Sequence, residues 1–199
     1  MTLPDRYFDD VYAANDDPWN FQGSPYEAAK YARTLAALPR ERYARALEVG
    51  CSIGVLTGLL ARRMDALTAV DVSEAALQRA RARNRDASNV TFERRRLPQD
   101  VPDGPFDLVM LSEVLYYLSP GDLEAALDVI VVRTAPGGTV MLVHWTPHVH
   151  DYPQTGDVVH EAALARVSRG ELTHRHGERH GDDLEGYRLD VFERPAQVR

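Results

Sequence analysis

The feature that most constrains this chain is a series of short apolar segments, each followed by a helical pattern, between about residue 44 and residue 145. Ala44–Val49 and Leu67–Val70 read as buried strands, Val90–Phe92 as a weak third, Phe106–Leu111 as a continuous apolar fourth and Thr139–Trp145 as a fifth. Helical patterns fill the intervals: about Ile53 to Met64, a stretch capped by Ser73 and running to about Arg85, and one opened by Ser119-Pro120 that ends before Pro136-Gly137-Gly138. Strands joined through helices run parallel, and a parallel sheet needs helices on both faces. The expected fold class is therefore α/β, a doubly wound, mostly parallel sheet. Beyond it, a helix around Asp157–Ser168 stops at Gly170. Glu171–His176 and Tyr187–Glu193 then read as a C-terminal hairpin adding an antiparallel strand.

The first forty residues differ from this pattern. They are aromatic-rich (Tyr7, Phe8, Tyr12, Trp19, Phe21, Tyr26, Tyr31) and irregular as far as Ser24, which opens a helix as N-cap, with Pro25 at its first position and Glu27 closing a capping box. We expect residues 1–40 to form a helical, aromatic lid and residues 41–199 the α/β core. A length of 199 residues suits one such core. The net charge of −7 disfavours a nucleic-acid partner. A single cysteine, Cys51, allows no intrachain disulfide and suggests a reducing compartment. The acidic N-terminus does not resemble a signal peptide, and no apolar run approaches the ~20 residues that span a bilayer. A cytoplasmic location without membrane attachment is expected.

Chemistry concentrates in Leu47-Glu48-Val49-Gly50-Cys51-Ser52-Ile53-Gly54, where a strand ends in an acid, turns on Gly50 and enters a helix through Gly54. Ligands of open α/β sheets bind at such carboxyl ends, beside free N–H groups of the following helix. Asp71 ends the second strand, where a carboxylate can accept both ribose hydroxyls of a nucleoside. The dinucleotide fingerprint G-x-G-x-x-G is not met, because Ser52 and Val55 interrupt it, and no P-loop occurs. Cys51 reads as a small packing residue within this turn, with no partnering base to make it a nucleophile.

The Glu-x-Gly-x-x-x-Gly turn with its following Asp71 resembles motif I of class I methyltransferases that use S-adenosylmethionine (SAM), which are Rossmann-like. Asp17-Pro18-Trp19, Ser24-Pro25-Tyr26-Glu27, Leu47–Leu56 and Glu113-Val114-Leu115-Tyr116-Tyr117-Leu118 together look like the nodulation-protein-S N-methyltransferases. The resemblance covers the chain up to about the fifth strand. It implies SAM as cofactor and N-methylation of a free amine on a small molecule or amino sugar, such as a deacetylated chitooligosaccharide. It also implies a cofactor site drawn from Trp19, Tyr26, Lys30, Glu48, Gly50, Cys51, Ser52, Gly54, Asp71, Val72, Leu97 and Ser112. Residues past the fourth strand meet cofactor and substrate in such enzymes, and Ser-Glu-Val-Leu here departs from the Asn/Asp-Pro-Pro-Tyr/Phe of nucleobase amino-methyltransferases.

An amine acceptor must lose its proton, which makes Glu113 the first candidate to orient or deprotonate it and His144 the second. Tyr116, Tyr117 and Trp145 offer aromatic faces with polar edges for sugar rings. Trp19 with Tyr26 is expected to close over the cofactor. Lys30 is the single lysine in a chain otherwise using arginine, and follows Glu27 by three residues. Two readings stand for it: a partner for the methionine carboxylate of SAM, or a solvated helical ion pair. Open alternatives are an O- or carboxyl-methyltransferase, a SAM-binding protein without turnover, and, less compatibly with the turn, a nicotinamide-dependent oxidoreductase. Arg94-Arg95-Arg96 reads as a solvated charge run. His174 and His176 would share one strand face, but with no cysteine nearby no metal is expected.

Overall fold

The computed structural model describes residues 1–182 and 184–196. The chain divides into two compact units, Pro4–Arg96 and a second made of Met1–Leu3 with the residues from Leu97 onward. Residues 4–40 thus share a unit with the first three strands.

In the Pro4–Arg96 unit, helices α1 (Asp5–Ala14) and α2 (Pro25–Ala36) precede β1 (Tyr43–Val49), α3 (Val55–Leu60), β2 (Met64–Asp71), α4 (Glu74–Arg83) and β3 (Val90–Arg94). β2 lies between β1 and β3, parallel to both, with Val49 opposite Val70 and Asp71 opposite Arg94. The stretch before Ser24 is more ordered than expected. Tyr7, Phe8, Val11 and Tyr12 repeat at helical spacing, and Tyr12 buries against Ile53 and Ala76. The capping box is half realised: Ser24 accepts the Glu27 N–H. The helix expected from Ile53 to Met64 is shorter at both ends. Gly54 takes a left-handed conformation (φ 77°) just before α3, and Met64 is drawn into the sheet opposite Tyr43.

In the second unit, β4 (Phe106–Ser112) leads through a short 3-10 turn (Leu115–Tyr117) to α5 (Pro120–Arg133), β5 (Thr134–Trp145), α6 (Gly156–Ser168), β6 (Thr173–Gly181) and β7 (Gly186–Glu193). β4 and β5 are parallel, β5 and β7 antiparallel, and β6 and β7 close an antiparallel hairpin. The tail therefore forms the expected antiparallel hairpin, with β7 joining it to β5. Phe106, Leu108, Val109, Met110 and Leu111 are all buried, as a strand covered on both faces must be. Ser119 caps α5 by accepting the Asp122 N–H, and Thr155 caps α6 by accepting that of Val158.

One sequence expectation is corrected here. The register of β6 shifts between His174 and His176, so the two rings find different partners: His174 turns to Asp190 and His176 to Glu178. Arg94, the last residue of β3, and the two arginines after it stay partly exposed, each with its own anchor. Arg94 Nε donates to the Val72 carbonyl, Arg95 pairs with Glu93 and Arg96 with Asp5.

Gly156 controls how α6 meets β5. A Cβ added there would lie 2.2 Å from the Trp145 carbonyl oxygen and 3.2 Å from the His144 Cβ. Since the obstacle is backbone, Gly156→Ala is expected to destabilise the protein by about 1–3 kcal/mol, read as a lower urea midpoint at unchanged slope. An unchanged midpoint would show that α6 yields without cost.

Candidate functional site

The turn after β1 is held in place by a carboxylate. Gly50, Ser52 and Gly54 all take positive φ (76°, 51° and 77°), a tight path that glycine permits at two of its three bends. Gly54 also has no room for a side chain, since a Cβ would meet Ala80 of α4 at 2.9 Å. Asp71 Oδ2 accepts the Ser52 N–H at 2.9 Å and Oδ1 accepts the Ser73 N–H at 2.9 Å. Burial pushes the Asp71 carboxyl above its ordinary 3.8, against the pull of the backbone donors at Ser73, Ser52 and Val72. The two carboxylate oxygens carry about four acceptor positions, so once the three backbone donors are satisfied roughly one is left for a nucleoside hydroxyl.

Neighbouring residues fasten the turn from outside. The Tyr12 hydroxyl bonds the Ser52 hydroxyl at 2.5 Å, seating α1 on the loop. Trp19 stands edge-on to Tyr12 (5.6 Å between centroids) and packs on the cluster around Ile53. Arg83 Nε donates to the Ile53 carbonyl at 3.0 Å, and Asn84 Nδ2 to the Gly54 carbonyl at 2.9 Å. Tyr12, Arg83 and Asn84 were not singled out from sequence, because each acts through a backbone or hydroxyl contact that carries no motif. Cys51 is buried, and burial pushes its thiol up, in keeping with a packing role.

Lys30 is not solvated. It is 2% exposed and pairs with Glu27 Oε1 at 2.9 Å, with its ammonium 5.5 Å from the centre of the Tyr26 ring. A desolvated ion pair of this kind is worth far more to break than its surface counterpart. Glu48 is buried beneath the turn, and burial pushes its carboxyl up to about 8, with the Thr57 hydroxyl opposing and Asp71 adding to the rise. It is therefore a neutral acid at pH 7.

The second unit carries the residues past β4. Glu113 sits at φ 54° immediately after Ser112, with its N–H bonded to the Val143 carbonyl. Its Oε2 accepts both the Tyr116 hydroxyl and the Trp145 N–H at 2.8 Å, joining the ends of β4 and β5. His144 is fully buried, and its Nε2 accepts the Leu115 N–H at 3.2 Å. Tyr116 stacks on Tyr152 at 5.1 Å and stands edge-on to Tyr117 at 4.7 Å. Burial pushes both Tyr116 and Tyr117 hydroxyls well up. Both rings are thus packed, and Trp145 is the half-buried aromatic of the expected trio. Leu97 is buried in this unit. Tyr152 was missed as a packing partner because it lies in a loop with no periodic pattern.

The raised Glu48 has a sign that can be tested. Its folded-state pKa of about 8 exceeds the ordinary 4.5, so the stability it permits is complete below 4.5 and falls as pH rises toward 8. Glu48→Gln removes the titration, so its stability relative to wild type is expected to climb across that window by up to about 1.4 kcal/mol per pH unit. Urea titrations at several pH values check this, and parallel curves for the two proteins would refute it.

Comparison with known proteins places this geometry in a family. The family model described as Nodulation protein S (NodS) matches residues 9–149. Nodulation protein S of Rhizobium tropici is 35% identical over 127 residues, covering 63% of this chain and 53% of the relative. An uncharacterised methyltransferase of Mycobacterium tuberculosis is 30% identical over 128 residues, covering 64% of this chain and 61% of the relative. The chain thus spans between 53% and 62% of the length of its first nodulation protein S relatives. In three dimensions it matches the crystal structure of the N-methyltransferase NodS from Bradyrhizobium japonicum WM9 in complex with S-adenosyl-L-homocysteine, with a TM-score of 0.85, 26% identity and coverage of 96% of this chain and 98% of that one. The fold is the Rossmann-like one of class I methyltransferases, closed by antiparallel C-terminal strands. Among the described residues no helix is long and apolar enough to cross a membrane. With the family model matched from residue 9 to residue 149, the chain belongs to the nodulation protein S family.

Proposed function

We propose that the chain is a SAM-dependent methyltransferase that N-methylates a free amine on a small molecule or amino sugar. The observation that carries this reading is the Gly50–Gly54 turn gripped by Asp71, within a family whose Bradyrhizobium japonicum member was crystallised with the demethylated cofactor. The residues fit the group. Asp71 keeps an acceptor position for a ribose hydroxyl, and Ser52 stands where a glycine would let a pyrophosphate approach. When bound, SAM supplies an electrophilic methyl group already activated by its sulfonium.

The protein's work is then to bind and align. We assign the cofactor to Trp19, Tyr26, Lys30, Glu48, Gly50, Cys51, Ser52, Gly54, Asp71 and Val72 of the Pro4–Arg96 unit. We read α1 and α2 as the cover of this site. Tyr12 on Ser52 and Trp19 over Ile53 support that reading. Glu113 and His144 are assigned to the reaction through the turn they organise. Glu113 is a carboxylate oriented by two donors, and His144 presents its acceptor nitrogen to the Leu115 N–H. Trp145 is the aromatic we assign to the acceptor. Alignment of this kind, with water excluded, supplies several kcal/mol of barrier lowering. A small-molecule partner and a cytoplasmic setting accompany the proposal.

The test is transfer of labelled methyl from SAM to a panel of amines that includes deacetylated chitooligosaccharides. Transfer to the sugar amine supports the full reading. Transfer to another acceptor keeps methyl transfer and discards the sugar. Silence across the panel with SAM bound favours a binding protein. Asp71→Ala is expected to weaken SAM binding by about 10- to 100-fold, the worth of hydrogen bonds to a charged acceptor, as measured by calorimetry. Unaltered affinity would remove Asp71 from the site.

A further inference from the structure

His144 is the inner end of a chain of rings. Its Nδ1 lies 3.2 Å from His160 Nε2, His160 Nδ1 lies 2.6 Å from Asp190 Oδ2, and Asp190 Oδ1 lies 2.6 Å from His174 Nε2. His144 and His160 are fully buried and the Asp190 side chain is 2% exposed, while His174 reaches solvent at 34%. Gly177 makes the space for the outer link, since a Cβ there would lie 2.5 Å from Asp190 Oδ1 and 3.1 Å from the His174 ring.

The two ends dictate every proton between them. A backbone N–H can only donate, so His144 Nε2, which faces Leu115 N–H, carries no hydrogen. The neutral ring then carries its hydrogen on Nδ1 and donates to His160 Nε2. His160 in turn holds its hydrogen on Nδ1 and donates to the Asp190 carboxylate. Both histidines are thereby placed in the Nδ1–H tautomer. One extra proton on either ring breaks the pattern. On His144 it puts an N–H against the Leu115 N–H. On His160 it forces His144 to the Nε2–H form, with the same clash.

We propose that His160 and Asp190 are positioning residues of the methyl-transfer reaction, holding His144 in the one tautomer that anchors the turn bearing Glu113 and Tyr116. This rests on the methyltransferase reading above. The groups facing His160 are Asp157 of its own helix, His144 of β5, and Asp190 and Arg188 of β7. From β6, His174 meets Asp190 and Arg179 pairs with Asp157; from the turn, Tyr116 stands edge-on to His144; from α5, Glu124 and Asp128 turn to Arg166 instead. Burial lowers the His160 pKa below the ordinary 6.5, against the pull of Asp190, and so favours its neutral ring. Against the rise that burial brings, His160 and then Arg188, whose Nε lies 2.7 Å from Oδ2, hold the Asp190 carboxyl below its ordinary 3.8.

The experiment is long-range 1H–15N spectroscopy of the histidine rings in the full chain at pH 7, assigned with His144→Gln and His160→Gln. Methyl-transfer pH profiles are then taken for wild type, His160→Phe and His160→Gln. Both rings should show the Nδ1–H pattern. His160→Phe should lower kcat by about tenfold or more with the KM for SAM unchanged, and His160→Gln, which can accept and donate in the same sense, should recover most of it with the acidic limb of the profile moved. An Nε2–H form for either ring in the wild type overturns the proposal, and this holds even where His160→Phe does not fold. The expected tautomers with kcat unmoved in a folded His160→Phe also overturn it. Wild type that transfers no methyl while showing both tautomers defeats the methyltransferase reading and the positioning role with it, whereas transfer accompanied by the wrong tautomers defeats this proposal alone.

Discussion

A single buried carboxylate links the two loops at the heart of the Pro4–Arg96 unit. By taking the N–H of Ser52 with one oxygen and that of Ser73 with the other, Asp71 ties the turn after β1 to the start of α4. Each of those groups would otherwise be an unmet donor at a strand-to-helix junction, where no intrahelical partner exists. The left-handed bends at Gly50, Ser52 and Gly54 follow from presenting Ser52 to that carboxylate. The attachment of α1 follows in turn, because the hydroxyl that Tyr12 meets belongs to the same serine. Loop shape, helix placement and the candidate nucleoside contact are thus consequences of one acid at the end of β2.

The second unit uses its polar groups in a comparable way. Glu113 and His144 both spend acceptor positions on the short turn after β4, one on a tyrosine hydroxyl and a neighbouring strand, the other on a backbone N–H. Glu113 also occupies a left-handed conformation, which costs on the order of 1–2 kcal/mol for a residue with a side chain. Two charge-assisted hydrogen bonds to its carboxylate offset that strain. Residues that look like proton-transfer groups in isolation therefore serve first as the frame of the turn.

Much of this was legible in the sequence. The alternation of strands and helices named the fold class, and Glu48, Gly50, Gly54 and Asp71 marked the turn proposed to hold the cofactor, because parallel strands and tight turns impose their own residue patterns. Helix α1 was not legible: its entry is Pro4, which provides no side-chain cap, and its apolar face is made of aromatics that also suit a loop. The burial of Lys30 and Glu27 was hidden for another reason. Spacing of three residues on a helix reads the same whether its face meets water or core. The histidine chain was the least visible, since His144, His160, His174 and Asp190 come from four separate elements and only tertiary register brings them together. The sequence showed a late cluster of histidines without showing that a bulge in β6 would send two of them to different carboxylates.

Under the proposed N-methyltransferase reading, the burial of Lys30 has a consequence. It is the single lysine of the chain and is 2% exposed. Every other basic side chain apart from the histidines is a guanidinium, which stays protonated and is a poor nucleophile at physiological pH. The protein's own side chains therefore offer no accessible primary amine to compete with an acceptor.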